Sequence, residues 1–268
     1  MNHNSIFSLS FPEAKTIIVS GDIHGDFNQL VFKLCIQYQL TDTLLIVAGD
    51  CGFGFEKKEY YEQIVRRNAK RMNQDNNWIV FVRGNHDNPV YFDGAMLNFK
   101  RFVAVPDYTI LQVCNHTILC IGGAISIDRI YRVNEWNRRK YRVHSNESQE
   151  NDISRNLYWQ NEAPIYDSDK LNTIRANFLI DTVVTHTAPS YCELFSKSNL
   201  NQWAENDPSL IEDIQFERKT MDMLLNHLKT NNHPINHWYY GHFHQSWHSA
   251  IDGIQYKMLD IMEFCQIY

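Results

Sequence analysis

The stretch GNHD at residues 84–87 follows directly after the apolar run WIVFVR at residues 78–83. A run rich in β-branched and aromatic residues that ends at a glycine predicts a buried strand followed by a loop. This loop offers an amide, an imidazole and a carboxylate, which are side chains able to bind a divalent metal ion. Because asparagine alone is a weak ligand, Asn85 can bind a metal only together with carboxylates and imidazoles from elsewhere in the chain.

Other apolar runs end in the same way. GDIHG (21–25) follows TIIVS (16–20), GDCG (49–52) follows the run at 43–48, His186 follows the run at 182–185, and GHFH (241–244) follows the run at 237–240. Since ligand sites in α/β folds form at the carboxyl ends of strands, we expect all these clusters to meet at one edge. Side chains two apart in an extended segment point to the same side, so the Asp–x–His and His–x–His pairs can each converge on one site.

Seven side chains in these clusters can bind a metal ion, namely Asp22, His24, Asp50, Asn85, His186, His242 and His244. Seven ligands exceed the four that a structural zinc ion takes. Two ions about 3.5–4 Å apart, bridged by one carboxylate, would use all of them. Mixed imidazole and carboxylate ligands suit zinc, iron or manganese better than calcium. Such a pair of ions lowers the pKa of a bound water and clamps phosphoryl oxygens, which is the machinery for hydrolysing phosphate esters.

The order of predicted elements indicates an α/β fold. Strands are predicted at 16–20, 43–48, 78–82, 101–105, 108–114, 116–121, 182–185, 237–240, 247–251 and 256–261. Helices are predicted at about 30–39, 56–73, 168–178 and 211–229, the third capped by Ser168. The alternation of the first strands and helices implies right-handed parallel crossovers. The tight connections from 101 to 121 predict antiparallel pairing, and Asp252-Gly253 predicts a hairpin turn.

The segment from 126 to about 167 is polar and has little periodicity. Long segments of this kind are uncommon in compact domains, so we interpret it as a functional insertion or lid within a single domain spanning 1–268. Trp136, Tyr158 and Trp159 in this segment could stack on a base or another flat group, or could form the insertion's own small core.

The blocks GDIHG, GD-x-G, GNHD, the strand-end His186 and GHFH resemble, in the same order, the five motif blocks of the calcineurin-like metallophosphoesterases, and they span residues 21 to 244. The resemblance implies an α/β (α+β) fold, a four-layer αββα sandwich whose mixed central β-sheets are flanked by helices. It also implies a dinuclear metal site at the C-terminal edge of the strands. One ion would be held by Asp22, His24 and His244, the other by Asn85, His186 and His242, and Asp50 would bridge them.

The resemblance also implies roles for groups that bind no metal. His86 resembles the family's histidine that contacts the phosphate and can protonate the leaving oxygen, a role that suits a group titrating near neutrality. The nucleophile would be a water or hydroxide bound to two divalent metal ions (Mn, Fe or Zn). Asp87 is expected to hold its loop by accepting backbone N–H bonds.

One departure from the family pattern bears on the substrate. The phosphoprotein phosphatase branch continues its second block with an acid and an arginine, where this sequence has Phe53 and Gly54. A general or nucleotide-directed phosphoesterase therefore fits better than a dedicated protein Ser/Thr phosphatase. Arg129 and Arg132 could bind phosphate in place of the missing arginine. Alternatively, they could form salt bridges within the insertion, for instance with Asp128 or Glu135.

The composition is that of a soluble globular protein, with 44% hydrophobic and 21% charged residues in a chain of 268. The net charge of -6 argues against broad binding of nucleic acids or anionic membranes. No apolar run reaches membrane-spanning length, and the N-terminus lacks the features of a signal peptide. The 6 cysteines show no metal-site spacing, so we expect reduced thiols and a cytoplasmic protein.

Together these features predict a metal-dependent phosphoesterase that acts on a phosphorylated small molecule, a nucleotide or a phosphoprotein. One alternative is a phosphodiesterase or pyrophosphohydrolase directed at nucleotides or dinucleotide polyphosphates, favoured if the region of Trp136 and Trp159 stacks on a base. The other alternative is a metal-binding scaffold without turnover. The sequence does not indicate an oligomeric state.

Overall fold

The computed structural model describes residues 6–144, 157–192 and 200–268. The strands are β1 (Ser8–Ser10), β2 (Thr16–Ser20), β3 (Thr43–Val47), β4 (Trp78–Phe81), β5 (Asn98–Phe99), β6 (Phe102–Ala104), β7 (Thr109–Val113), β8 (His116–Ile121), β9 (Thr182–Thr185), β10 (His237–Tyr240), β11 (Trp247–Ile251), β12 (Ile254–Met258) and β13 (Phe264–Ile267). The helices are α1 (Phe27–Phe32), α2 (Lys58–Gln74), α3 (Arg129–His144), α4 (Ser168–Asn177), α5 (Leu200–Ala204) and α6 (Leu210–Thr230). A π-helical turn (Lys33–Gln37) continues α1, and a 3-10 turn covers Pro89–Phe92.

The strands form two mixed sheets. One has six strands in the order β13-β2-β3-β4-β6-β5, and the other has seven in the order β1-β7-β8-β9-β10-β12-β11. β2, β3, β4 and β6 run parallel in the first sheet, as do β8, β9, β10 and β12 in the second. The carboxyl ends of the parallel strands in each sheet therefore lie together at one edge.

Apolar side chains fill the space between the two sheets. Val19, Ile46 and Val80 from the six-stranded sheet join Leu111 and Val184 from the seven-stranded sheet in one buried cluster. The neighbouring residues on the same strands point to the opposite faces, because side chains alternate along a strand. Strands buried on both faces explain why their sequences are continuous apolar runs instead of alternating ones.

Helices cover the outer face of each sheet. Leu30 of α1 and Tyr61 of α2 pack against Leu45 of the six-stranded sheet. Leu171 of α4 and Leu224 of α6 belong to the cluster on the outer face of the seven-stranded sheet. The layers are thus helix, sheet, sheet and helix, and the predicted αββα sandwich is confirmed.

The predicted antiparallel group at 101–121 is wrong in part. β7 and β8 pair antiparallel as expected, but β6 pairs with β4 and β5 in the other sheet. Val105 N donates to Phe81 O of the first sheet at 3.1 Å, and Tyr108 N donates to Cys120 O of the second at 2.9 Å. The chain therefore crosses between sheets at Pro106-Asp107, where proline has no N–H to extend either ladder.

The polar insertion contains a helix that its weak periodicity did not indicate. α3 is rich in arginine and other helix-forming residues, so intrinsic propensity and ion pairs along the helix stabilise it without a strong apolar stripe. Arg138 lies 3.7 Å from Glu135, and Arg132 lies 2.8 Å from Asp128. Residues 145–156 of the insertion lie outside the described residues.

The predicted cap of α4 is displaced by one residue. Asp167, rather than Ser168, is the N-cap, and its carboxylate accepts from the N–H groups of Asp169 and Lys170. Carboxylates and hydroxyls are both common N-caps, so composition alone did not separate these neighbours. The short elements β1, β5, β13 and α5 were not predicted, because two to five residues carry little periodic signal. Within the described residues, no helix is both long and apolar enough to cross a membrane.

Candidate metal centre

Each candidate ligand follows the carboxyl end of a parallel strand. Asp22 and His24 follow β2, Asp50 follows β3, and Asn85 follows β4, all in the six-stranded sheet. His186 follows β9, and His242 and His244 follow β10, in the seven-stranded sheet. The two sheets present these ends at a shared rim, so ligands from distant parts of the sequence meet there.

The open side of the centre consists of Asp22, His24 and His244. Their ligand atoms and one from Asp50 all lie within 4.8 Å of one another. His24 Nε2 is 3.1 Å from His244 Nε2, and His244 Nε2 is 2.9 Å from Asp22 Oδ2. About a third of each imidazole is exposed, 35% for His24 and 32% for His244, so solvent reaches this side.

The buried side of the centre consists of Asp50, Asn85, His186 and His242. His186 Nε2 lies 2.9 Å from Asn85 Oδ1 and 3.2 Å from Asp50 Oδ1. The rings of His186 and His242 have centroids 4.9 Å apart. His186 Nδ1 donates to Ala48 O at 2.7 Å, which leaves Nε2 directed at the centre. Fixing one ring nitrogen by a backbone carbonyl is how proteins orient a ligating histidine.

The backbone of the centre is unusual at four of the seven candidate ligands. Their φ angles are positive, namely His24 46°, Asp50 45°, His242 70° and His244 52°. Non-glycine residues adopt this left-handed conformation rarely, and such strain clusters at functional sites where the surrounding structure enforces it. The alternation of side chains along an extended strand therefore does not describe these loops. Asp22 and His24 still converge on one cluster, whereas His244 joins that cluster and His242 packs against His186.

Glycines permit the close approach of the loops. A Cβ at Gly84 would collide with the backbone and carboxylate of Asp50, and one at Gly241 would collide with the carboxylate of Asp22. Gly84 and Gly241, which open two of the motif blocks, are thus required because ligands pack directly against them.

Asp87 fastens the loops after β3 and β4 to each other. Its carboxylate accepts from the N–H groups of Gly84 (2.8 Å), Cys51 (3.0 Å), Gly52 (2.7 Å) and Phe53 (2.9 Å). The predicted role of Asp87 as a backbone acceptor is confirmed. Burial, with the nearby charge of Asp50, raises the pKa of Asp87 to about 6 despite these hydrogen bonds.

The charges of the centre call for a cation. Asp22 Oδ2 and Asp50 Oδ2 are buried and, within the described residues, receive no hydrogen bond of acceptable geometry. Burial alone would raise the pKa of Asp50, but the positive charges of His86 and His186 hold it well below its usual range. Burial alone would likewise lower the pKa of His186, but Asp50 and Asp22 raise it to about 9. Buried carboxylate oxygens without donors, surrounded by imidazoles, fit divalent metal ions.

Ser126 and Glu162 support Asn85 and were not found by sequence reasoning. Asn85 Nδ2 donates to Ser126 Oγ at 2.8 Å, and Ser126 Oγ donates to Glu162 Oε2 at 2.5 Å. Ser126 N also donates to Glu162 Oε1 at 2.9 Å, and both residues are 1% exposed. With its amide nitrogen bound to Ser126, Asn85 directs its carbonyl oxygen into the centre. A lone serine and glutamate in a polar segment carry no sequence signal for this role.

His86 lies at the rim of the centre without belonging to the ligand cluster. Its N–H donates to Asp50 Oδ1 at 2.9 Å, while its Nε2 lies 3.9 Å from Asp50 Oδ2 and 3.4 Å from Arg132 Nη2. Arg132 is held by Asp128, which accepts from its Nε at 2.8 Å. The side chains of His86 and Arg132 both line the cavity that opens onto the centre.

The side chain of Arg129 lies away from the cavity and binds acidic residues. Its Nε lies 2.5 Å from Asp207, and its Nη2 lies 2.6 Å from Asp213 and 2.9 Å from Ser209 Oγ. The structure therefore separates the two candidate phosphate-binding arginines, since carboxylates engage the guanidinium of Arg129 away from the cavity. The salt bridge that the sequence left open as an alternative is present at both arginines: Arg132 pairs with Asp128, as that alternative stated, and Arg129 pairs with acidic residues outside the insertion.

Of the three aromatic candidates in the insertion, Trp159 is buried and does not line the cavity beside the centre. Trp159 is 7% exposed and packs edge-on against Phe55, with ring centroids 5.4 Å apart. The side chains that line the cavity of about 350 Å³ beside the centre are His24, Gly52, Phe55, His86, Ile127, Asp128, Arg132, Trp203 and His244. Its aromatic walls, Phe55 and Trp203, were not among the candidate residues.

The sequence and the fold can be compared with those of known proteins. The chain matches the family model of the calcineurin-like phosphoesterases over residues 15–246. A comparison with curated protein sequences gave no match.

Solved structures similar to the chain include several phosphatases. One is a dimetal phosphatase from Danio rerio, with 10% identity, 94% of this chain and 88% of that chain covered, and a TM-score of 0.46. Another is phosphopantetheinyl hydrolase from Mycobacterium tuberculosis, with 15% identity, 92% and 89% covered, and a TM-score of 0.37. A cold-active protein-tyrosine phosphatase of a psychrophilic Shewanella has 12% identity, 96% and 74% covered, and a TM-score of 0.36.

The family match covers most of the chain, including every candidate ligand. The donors gathered at the rim of the two sheets are those that such a family needs for two divalent metal ions. The chain belongs to the calcineurin-like phosphoesterases and is a metal-dependent hydrolase of phosphoric ester bonds.

Proposed function

We propose that the protein hydrolyses a phosphate ester by attack of water at a dinuclear metal centre, with His86 as the acid that protonates the leaving oxygen. The observation that carries this proposal is the position of His86. It lines the same cavity as His24 and His244, yet its Nε2 remains 3.9 Å from the shared carboxylate of Asp50. A histidine held beside the ligands, but outside their cluster, can face the substrate.

The ligands divide between two ions. Asp22, His24 and His244 would hold one ion on the open side, and Asn85, His186 and His242 would hold the other on the buried side. Asp50 is suited to bridge them, since it belongs to the cluster on the open side and lies 3.2 Å from His186 on the buried side. When bound, the ions supply an activated water and neutralise charge on the phosphoryl oxygens. We infer manganese, iron or zinc from the imidazole-rich donor set.

His86 is positioned by its own backbone. The hydrogen bond from His86 N to Asp50 Oδ1 fixes the loop, and the side chain lines the cavity with Nε2 near Arg132. A protonated Nε2 donates its proton to the ester oxygen as the bond to phosphorus breaks, so that an alkoxide does not have to leave.

Arg132 is suited to grip the phosphoryl group. Asp128 holds its Nε, and its Nη2 lies 3.4 Å from His86 Nε2, so the outer guanidinium edge faces the place where a phosphate would contact His86. A guanidinium can bind two phosphate oxygens at once. We assign this role to Arg132 alone, because Asp207 and Asp213 engage Arg129.

The substrate is better sought among small phosphorylated molecules and nucleotides than among phosphoproteins. Phe53 replaces the acid that the phosphoprotein phosphatase branch has, and it is buried in an aromatic cluster with Phe27 and Tyr61. The position thus serves packing instead of orienting a catalytic histidine. Cytoplasmic location and the use of manganese in the cell remain predictions.

The substitution His86→Ala tests the proposal. We expect unchanged metal content and a loss of about 10²–10⁴-fold in kcat for an alkyl phosphate, the usual contribution of a general acid. The loss should be much smaller for 4-nitrophenyl phosphate, because 4-nitrophenolate leaves without a proton. Assays with added manganese and metal analysis after gentle dialysis provide the measurements.

The exposed His248 on β11 gives a matched control, and His248→Ala should change neither property. If His86→Ala lost kcat equally for the alkyl and the aryl ester, His86 would not act as the acid. Its role would then be limited to binding the substrate. If wild-type protein loaded with manganese hydrolyses none of the aryl monoester, aryl diester, nucleotide or dinucleotide polyphosphate substrates, the proposed activity is wrong and the scaffold alternative takes its place.

A further inference from the structure

The cavity beside the metal centre has two aromatic walls. Phe55 and Trp203 line it together with Ile127, in a volume of about 350 Å³. We propose that this cavity is a subsite for a flat aromatic group carried on the scissile phosphate. The proposal rests on the proposed function and names the class of substrate that the centre would take.

The wall at Phe55 is fixed from behind. Trp159 packs edge-on against the Phe55 ring at 5.4 Å between centroids and is itself 7% exposed. The preceding residue, Gly54, has φ of 106°, and a Cβ there would collide with Asn88 and crowd Trp159. Trp159 thus restricts the Phe55 ring, which also lines the cavity. A ring that is already ordered loses little entropy when it stacks on a ligand.

The backbone next to Trp203 is held by Arg129, the arginine to which no phosphate-binding role is assigned. Trp203 lies on α5, and its carbonyl accepts from Asn206 N at 3.1 Å in the turn that leads to Asp207. Arg129, the first residue of α3, binds Asp207 and also Asp213 of α6. These ion pairs tie the segment after α5, and α6 itself, to the helix that carries Arg132, so the backbone next to Trp203 is held beside the cavity.

The distribution of polarity within the cavity indicates how a substrate would lie. His24, His86 and His244 occupy the end at the metal centre, together with Arg132. The other lining residues are Gly52, Phe55, Ile127, Trp203 and Asp128, whose carboxylate is paired with Arg132. A phosphate would therefore sit at the histidines with its esterified group against Phe55 and Trp203. Aromatic walls favour a flat ring over a saturated one because offset stacking adds attraction beyond the burial of area.

A pair of substrates matched in chemistry tests the subsite. Benzyl phosphate and cyclohexylmethyl phosphate carry primary alcohols of similar acidity and size, so they differ chiefly in flatness. We expect kcat/KM in manganese-loaded protein to favour benzyl phosphate about fivefold to tenfold, as one or two aromatic contacts provide. Equal values for the two esters would overturn the inference while leaving the proposed hydrolysis intact.

Substitution of the walls supplies the second test. Phe55→Leu and Trp203→Leu keep an apolar side chain but remove the ring, and each should bring the benzyl preference down by about threefold. Phe216→Leu removes an exposed ring of α6 that is 65% accessible and should leave the preference unchanged. Thermal unfolding checks that all variants fold. A benzyl preference that survives in the Phe55→Leu, Trp203→Leu double variant would overturn the inference.

Direct binding separates this inference from the hydrolysis itself. Calorimetry with benzylphosphonate and cyclohexylmethylphosphonate needs no turnover, so it tests the subsite even if the enzyme assay fails. Tighter binding of benzylphosphonate than of cyclohexylmethylphosphonate, lost in the double variant, supports the subsite. Equal affinities for the two phosphonates overturn the inference. Adenosine 5′-monophosphate against ribose 5-phosphate then identifies the source of the ring. A preference for the nucleotide assigns a nucleobase, and its absence alongside the benzyl preference assigns a ring nearer to phosphorus.

Discussion

The two sides of the metal centre are built from similar donors but differ in their surroundings. On the buried side, Asp50 and His186 are 0% exposed and Asn85 is 1% exposed. On the open side, the imidazoles of His24 and His244 are about a third exposed. Asn85 and His186 are oriented by hydrogen bonds to Ser126 and Ala48, whereas the open-side imidazoles contact mainly each other and Asp22.

The difference in surroundings predicts a division of labour. Ligands fixed by second contacts pay little entropy on binding and exclude water, so an ion on the buried side should bind tightly and exchange slowly. An ion on the open side should bind more weakly and exchange with solvent, and it lies next to the cavity that would receive the ester. A single dissociation constant for both ions would contradict this division.

The largest effect is expected from removing a ligand on the buried side. His186→Ala should lower hydrolysis by about 10³-fold or more, since several kcal/mol of charge stabilisation are lost with the ion. It also leaves Asp50 and Asn85 without their partner. His244→Ala should lower hydrolysis in a way that excess manganese partly restores, because solvent can fill the open position. Metal analysis after dialysis and manganese titration of activity measure both.

His237→Ala is the control for this pair, since His237 begins β10 at the opposite end from the centre. It should change neither metal content nor activity. If manganese rescues His186→Ala as readily as His244→Ala, the two sides do not differ as proposed.

A smaller effect is expected from removing the hydrogen bond that Ser126 accepts from the Asn85 amide. Ser126→Ala removes the acceptor that holds the Asn85 amide, so manganese affinity on the buried side should fall about 10–100-fold, the usual cost of losing an outer partner of a ligand. The open side should keep its affinity. Calorimetric titration with manganese separates the two sites, and a loss confined to the weaker site would contradict the assignment of Asn85.

The smallest effect concerns stability and pH in metal-free protein. Burial raises the pKa of Glu162 from 4.5 to about 8. Between these values the unfolded chain ionises while the folded chain keeps its proton, so this group destabilises the fold increasingly as pH rises from 4.5 to 8. The glutamine side chain in the Glu162→Gln variant cannot ionise. Its Tm relative to wild type should therefore rise between pH 5 and pH 8, by about 2–4 °C for each kcal/mol. A constant difference in Tm would show that Glu162 is ionised in the folded protein.

The contrast between ligands and their supports also marks what could be predicted from sequence. Asp22, Asp50 and His186 were found because each follows a strand with a strong apolar signal, and strands fix where such residues go. Ser126 and Glu162 could not be found, because they lie in a polar segment whose path depends on tertiary contacts. The same holds for Phe55 and Trp203, which become walls of one cavity only when α3, α5 and the loop after β3 come together.

The errors in the predicted fold have a related origin. Local patterns found the strands themselves, but the pairing of β6 and β7 depended on a crossing between sheets at Pro106-Asp107 that no local pattern shows. The positive φ angles at His24 and Asp50 likewise come from packing, since neither residue type favours that conformation enough to reveal it. Sequence thus located the chemistry at the strand ends, while tertiary structure decided its orientation and its neighbours.

The distribution of ligands over two sheets has a consequence for how the protein matures. Asp22, Asp50 and Asn85 belong to the first sheet and precede His186 and His242 of the second by a hundred residues or more of chain. During synthesis the early ligands emerge long before their partners and can form only part of the centre. Metal capture should therefore come last, after the sheets dock, and the bound ions would then act as a staple between the early and late halves of the chain.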